Sequence, residues 1–218
     1  MVSKKSNNRF NKPNMKLRNI VFAVLSLILS ISCTAQTKNN PSIQKHSKMN
    51  QKSLIVFFSH AGENYSVGNI KVGNTKIVAD YISEMTGAEQ FEIVCEKDYD
   101  MPYMKLIEVA KQEANNNELP DYKNTQIDLS QYDTIFIGGP IWWGTYPQVM
   151  FTFFRDHDLN GKTIVPFVTH EGSGMASTVN DLKRSYPKAN VTKGFAIAGH
   201  DVRTGKDRVQ KWLKEMGY

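Results

Sequence analysis

Residues 132–148 read YDTIFIGGPIWWGTYPQ, and this stretch decides the fold. Ile135, Phe136 and Ile137 form a short run of apolar β-formers, Gly138, Gly139 and Pro140 stop it, and Pro147 suits the first turn of a helix. The order is therefore strand, loop, helix. Ligands of open α/β sheets bind beyond the carboxyl ends of the strands, which is where this loop lies, so Trp142 and Trp143 are expected to flank a pocket. Indoles also serve as core filler on an α/β layer. From an extended segment, however, successive side chains point to opposite sides, so the two cannot both turn inward. At least one faces solvent or a flat ligand.

Working outward, strands and helices alternate. Ser53 to Phe58 is a continuous apolar run, as expected of a strand buried on both faces, and Thr75 to Met85 places Ile77, Val78, Tyr81, Ile82 and Met85 on one helical face. Gly87 ends that helix. Gln90 to Cys95 alternates as a strand, Tyr103 to Ala114 is helical, and Asn115 to Asn124 is a loop. After the central strand come a helix from Pro147 to Phe154, a strand from Thr163 to Val168 and a helix from Ser177 to Tyr186. A strand from Thr192 to Ile197 and a helix from Lys206 to Met216 complete the pattern. The predicted class is α/β, a doubly wound five-stranded parallel sheet with right-handed crossovers.

The first 52 residues stand apart. Lys4, Lys5, Arg9, Lys12, Lys16 and Arg18 precede an apolar run of about a dozen residues, Ile20 to Ile31, broken only by serines. This reads as a secretory signal, too short for the ~20 apolar residues of a membrane helix. Residues 1–35 are thus expected to be a signal peptide or lipoprotein leader. Cys33 is a candidate for lipid modification, although Ser30 stands where a lipobox has Leu; cleavage after Ala35 is the other option. Met15 offers a tidier start, and a start at Met49 would leave a cytoplasmic protein. No adjacent arginine pair precedes the apolar core, so the leader suits export of an unfolded chain to the cell envelope or periplasm. Residues 36–52 are polar and aperiodic, a flexible tether, and the folded domain occupies 53–218.

Setting the leader and tether aside reverses the charge. They hold ten of the 27 basic residues and none of the 21 acidic ones, so the domain carries 17 basic against 21 acidic residues, a net charge of −4. The basic balance of the whole chain belongs to the leader, and nucleic-acid binding loses its compositional support. Cys95 is the domain's sole cysteine, so an internal disulfide is excluded.

The loop after the first strand reads SHAGENYSVGNIKVGNT, residues 59–75. Excising the eleven residues from Gly62 to Val72 leaves a short hydroxyl- and glycine-rich turn running into a helix. Such a turn suits a phosphate, because backbone N–H groups and the hydroxyls of Ser59 and Thr75 donate while the helix N-terminus contributes about half a positive charge. The plainer reading is capping, with Asn74 or Thr75 as N-cap. Other chemistries fit less well. GKT at 161–163 enters a strand rather than a helix, and Asp156 stands where a P-loop needs its first Gly. Ser173 lacks the glycine arrangement of a nucleophile elbow. His60 and His170 are loop histidines of the ordinary hydrogen-bonding kind, and no metal is expected.

Together these loops resemble the flavodoxin family, most closely a flavodoxin-like subgroup with GxPIWWG and THxGSG loops. The corresponding stretches are GGPIWWGTYP at 138–147 and THEGSG at 169–174, and the similarity spans about residues 53–218. The resemblance implies strand order 2-1-3-4-5 and a bound FMN. It implies phosphate contacts from Ser59, His60, Ala61, Asn74 and Thr75. It places Pro140, Ile141, Trp142, Trp143 and Gly144 along the flavin ring and Thr169, His170, Glu171, Gly172, Ser173 and Gly174 on its other side. Gly139 and Gly144 are candidates for a peptide that rotates on reduction. Two departures stand out: the insertion at 62–72, and His170 where many flavodoxins have a stacking Tyr.

The expected function is electron transfer to a redox partner protein or a small-molecule acceptor. The alternative is NAD(P)H-dependent reduction of quinones or other small molecules through FMN, and a binding module without flavin is the third class. A carrier usually concentrates acidic charge to steer its partner. Here Glu118, Asp121 and Asp128 are the nearest approach to a cluster.

Overall fold

The computed structural model describes residues 52–218. The expected leader, its cleavage sites and most of the tether lie outside the described residues. The chain runs β1 (Ser53–Phe57), β2 (Gly62–Asn64), β3 (Gly68–Ile70), α1 (Asn74–Thr86), β4 (Glu89–Glu92), α2 (Tyr103–Asn116) and β5 (Thr134–Pro140). It continues through α3 (Gln148–Asp156), β6 (Thr163–His170), α4 (Thr178–Ser185), β7 (Asn190–Val191), β8 (Phe195–Ala198), a 3-10 turn (Gly199–Thr204) and α5 (Lys206–Glu215).

All pairings of the main sheet are parallel, in the order β4-β1-β5-β6 followed by β7 and β8, both on β6. This is the 2-1-3-4-5 order, with the fifth strand in two pieces. The single strand expected from Thr192 to Ile197 is therefore corrected. β7 pairs with Thr163 and Ile164, β8 pairs with Phe167 to His170, and the gap falls opposite Pro166. Even-numbered residues of β6 direct their backbone groups to this side, as the bonds to the Ile164 and Lys162 carbonyls show. Pro166 has no N–H to offer there, so the ladder breaks.

Every residue of β1 is buried, as its unbroken apolar run predicts. Alternate residues feed two cores. Leu54, Val56, Ile135, Ile137 and Ile164 pack beneath α2, α3 and α4, while Ile55, Phe57, Phe136, Val165 and Phe167 pack beneath α1 and α5. Gly138 is required by this packing, since a Cβ there would lie 2.0 Å from the Phe167 ring. Among the described residues, no helix is long and apolar enough to cross a membrane.

Residues 62–70 form a small antiparallel hairpin, β2 with β3, outside the main sheet. Its ends meet. A Cβ on Gly73 would lie 2.6 Å from the His60 carbonyl oxygen, so the chain returns to its point of departure before α1 begins. The hairpin is thus an addition to the β1–α1 loop.

Candidate binding cleft at the carboxyl edge of the sheet

The loops leaving β1, β5 and β6 converge on a cleft of about 320 Å³. Asn74 comes from the first, Pro140, Ile141, Trp142 and Trp143 from the second, and Thr169, His170, Glu171 and Ser173 from the third. Gly144, Gly172 and Gly174 bend these loops in left-handed conformations, with φ of 83°, 105° and 58°. Thr75 is buried behind the lining, its hydroxyl 2.9 Å from that of Thr169, which ties α1 to β6.

The two indoles separate as expected. Trp142 turns inward, edge-on to Tyr99, Phe58 and His60 at centroid distances of 5.2, 5.6 and 5.8 Å. Trp143 is 52% exposed. The cause is a tight turn: Trp142 and Thr145 exchange backbone hydrogen bonds of 2.9 and 3.2 Å around Trp143 and Gly144, both at positive φ. A left-handed Trp costs about 1–2 kcal/mol. Trp143 donates from Nε1 to the Ile107 carbonyl at 2.9 Å and lies beneath the Lys111 ammonium, contacts that offset this strain.

Asp181, buried, locks the second and third loops together. It accepts from Thr145 Oγ1 at 2.5 Å and Ser177 Oγ at 2.6 Å and is paired with Arg184. The Gly144 carbonyl accepts from both the N–H and the hydroxyl of Ser177. Its peptide is therefore anchored, and Gly139 is a packing residue facing Met150 and Tyr146.

The first loop differs from expectation in its capping. α1 has Gly73 as N-cap, with no side-chain cap bond, and the acceptor comes from across the loop: Ser59 Oγ takes the Lys76 N–H at 3.0 Å. Ile77 N–H bonds to the Gly73 carbonyl. The Asn74 and Thr75 amides are left open among the described residues, two donors at the positive end of a helix. Ser59, His60 and Ala61 line a neighbouring cavity of about 460 Å³ instead of the cleft. His60 is 8% exposed, its Nε2 has no partner among the described residues, and burial pushes its pKa below the usual 6.5.

In the third loop, His170 Nδ1 accepts from the Gly172 N–H at 2.9 Å, and burial lowers its pKa too. Glu171 holds the turn after β8, accepting from the His200 N–H at 3.0 Å and lying 2.7 Å from His200 Nδ1. The carboxylate raises the His200 pKa.

Sequence reasoning missed two parts of the surroundings. Gly199 lines the cleft, and Arg203 Nη1 donates to Asn74 Oδ1 at 3.3 Å beside the open amides. The signal was present, because the loop after the fifth strand leaves the same sheet edge. The other part is a wall made by the inserted hairpin (Glu63, Asn64, Tyr65, Val67) and by α2 (Tyr103, Leu106, Ile107, Ala110). Nothing in the local pattern announced it.

A family model described as Flavodoxin matches residues 52–216. The chain belongs to the flavodoxin family. Among solved structures, this flavodoxin-family chain is similar to a protein from Bacteroides uniformis provisionally assigned as a flavoprotein. Identity is 28%, with 75% of this chain and 98% of the other covered and a TM-score of 0.62. A counterpart from Bacteroides eggerthii is 27% identical, covering 78% of this chain and 99% of its own, with a TM-score of 0.61. A flavoprotein from Lactobacillus acidophilus, solved in complex with FMN, is 24% identical over 73% of this chain and 99% of its own. Its TM-score of 0.52 bears on the fold alone. No curated protein matches the chain.

Proposed function

We propose that the domain binds FMN in this cleft and acts in electron transfer, passing electrons to a redox partner protein or a small-molecule acceptor. The observation that carries the reading is the open N-terminus of α1, where the Asn74 and Thr75 amides lack partners among the described residues and Asn74 lines the same cleft as the loops after β5 and β6. A phosphate at a helix N-terminus needs such donors, and Arg203 adds a cation within reach of the Asn74 side chain. Trp142, Trp143 and the 169–174 loop then line a flat ring. When bound, FMN supplies one- and two-electron redox chemistry.

The chain's own contribution is positioning. Asp181 fixes the spacing of the two ring loops through Thr145 and Ser177. His170 accepts at Nδ1, which leaves its proton on Nε2, and at neutral pH it is uncharged. The test is a titration of the full chain with FMN and with riboflavin. FMN is expected to bind more tightly, and equal affinities would sink the phosphate reading. NADH and NADPH oxidation by the FMN-loaded chain distinguishes the alternative, an NAD(P)H-dependent reductase, from a pure carrier.

We also propose export to the envelope, with residues 36–52 as a tether if Cys33 is lipidated. Intact mass of the native protein tests it. A cytoplasmic species beginning at Met49 would overturn export, and one beginning at Gln36 would remove only the anchor.

A further inference from the structure

The inserted hairpin is tied to the start of α2. Glu63 Oε2 accepts the Tyr103 N–H at 2.8 Å, Asn64 Nδ2 donates to the Gly62 carbonyl at 3.1 Å, and the Tyr65 and Tyr103 rings stack at 5.9 Å with 30° between planes. Tyr65 is 62% exposed all the same. A large aromatic held this way and still more than half exposed, on an addition to the β1–α1 loop, offers apolar surface to a ligand. Behind the pair, Leu106, Ile107 and Ala110 of α2 give the cleft an apolar floor.

Charge narrows the occupant. The cleft lining contains no Lys or Arg. Of its two carboxylates, Glu63 is exposed and engaged with the Tyr103 amide, and Glu171 is engaged with His200. Arg203 lies at the Asn74 end, so a diphosphate or an anionic aromatic set against the hairpin would find no cation among the lining residues there and would lose hydration without a partner. The hairpin rises beside the cleft, so the surface is concave and suits a small molecule better than a flat protein patch.

We propose that the hairpin and the first turns of α2 form a second subsite in the cleft, which takes a small, planar, uncharged aromatic molecule against the exposed ring of Tyr65. As an electron acceptor such a molecule rests on the FMN reading above; as a ligand it depends only on this chain's residues. The subsite's residues come from the insertion and α2, and the loops assigned to the flavin line the rest of the same cleft.

The probe is 2-naphthol, which is redox-inert, titrated by NMR into the full chain with and without FMN, with naphthalene-2-sulfonate as the charged control. The expected result is saturable binding of 2-naphthol to both forms and weaker binding of the sulfonate. Tyr65→Ala should weaken 2-naphthol by about tenfold, a larger factor than any it imposes on FMN. Tyr65 is exposed, so this variant should fold, and Tyr103→Leu provides a second reading of the same stack. Absence of 2-naphthol binding to either form overturns the proposal. So does direct competition with FMN, or a Tyr65→Ala variant that loses FMN and keeps 2-naphthol. If FMN itself fails to bind, the cofactor reading falls, and the subsite stands or falls on the FMN-free titration.

Discussion

The two walls of the cleft have different origins and different foundations. The loops after β5 and β6 grow from strands whose interior residues are all buried, and Asp181 bolts them together. The wall opposite grows from three-residue strands with Tyr65, Ser66, Gly68 and Asn69 exposed, held to α2 by one hydrogen bond to the Glu63 carboxylate and one stack. The first wall cannot move without disturbing the core, whereas the second can change while the core stays as it is. What the family shares is therefore expected in the first wall, and what distinguishes this chain in the second.

Adjacent tryptophans give the largest contrast. Trp142→Ala should cost about 2–3 kcal/mol of stability, because a half-buried indole clasped by Phe58, Tyr99 and His60 leaves a void. Trp143→Ala should cost less than about 1 kcal/mol and instead weaken FMN by ~1–3 kcal/mol, as loss of an aromatic anchor does. Denaturant melts and FMN titrations of both variants read this out. Equal stability losses would mean that the two indoles share one structural role.

Excising residues 62–72 compares the walls as wholes. Ala61 joined to Gly73 restores a short turn between ends that already meet, so the domain should still melt cooperatively. Loss of Ile70 burial and of the Tyr103 amide bond should cost about 1–2 kcal/mol. FMN binding should persist. A variant that no longer folds would show that the hairpin belongs to the core.

What was legible in the sequence follows the same division. β1 and β5 are buried on both faces, so their apolar runs identify them without knowledge of partners. That one indole must face out was also legible, but which one depends on the left-handed Trp143–Gly144 turn, a matter of local backbone geometry. The break in the fifth strand was hidden, since it depends on which side of β6 Pro166 turns its nitrogen. The hairpin strands are too short for any period to register, and Arg203 reaches the first loop only through a 3-10 turn without apolar rhythm.

His60 sits where the walls meet and gives a pH test. Burial lowers its folded pKa below 6.5, so the stability tied to its neutral form is fully present above pH 6.5 and is lost as pH falls through the lowered value. His200 works the other way: its raised pKa contributes stability at acid pH that is lost as pH rises through it. Melting temperatures of wild type and His60→Gln between pH 5 and 8 should therefore converge, or cross, toward acid, with the wild type losing more. A constant difference across that range would show that His60 stays out of the acid transition.

The smallest expected effect isolates the hairpin's own anchor. Pro102, the N-cap of α2, brings no side-chain acceptor, and the carboxylate of Glu63, forty residues earlier, supplies one to the Tyr103 amide at 2.8 Å. That amide is one of the donors a helix leaves open at its start, and the negative charge also meets the positive end of the helix dipole. Because Glu63 is exposed, Glu63→Ala should lower stability by only about 0.5–1 kcal/mol, and Glu63→Gln, which keeps an acceptor without the charge, by less. Hydrogen exchange resolves what a melt cannot. The Tyr103 amide and the β2–β3 amides should exchange faster in Glu63→Ala, while those of β1 and β5 keep their rates. Such a pattern means that the hairpin opens as a local unit over an intact sheet. If the strand amides sped up to the same degree, the wall and the core would form one cooperative unit, and the division between them would be wrong.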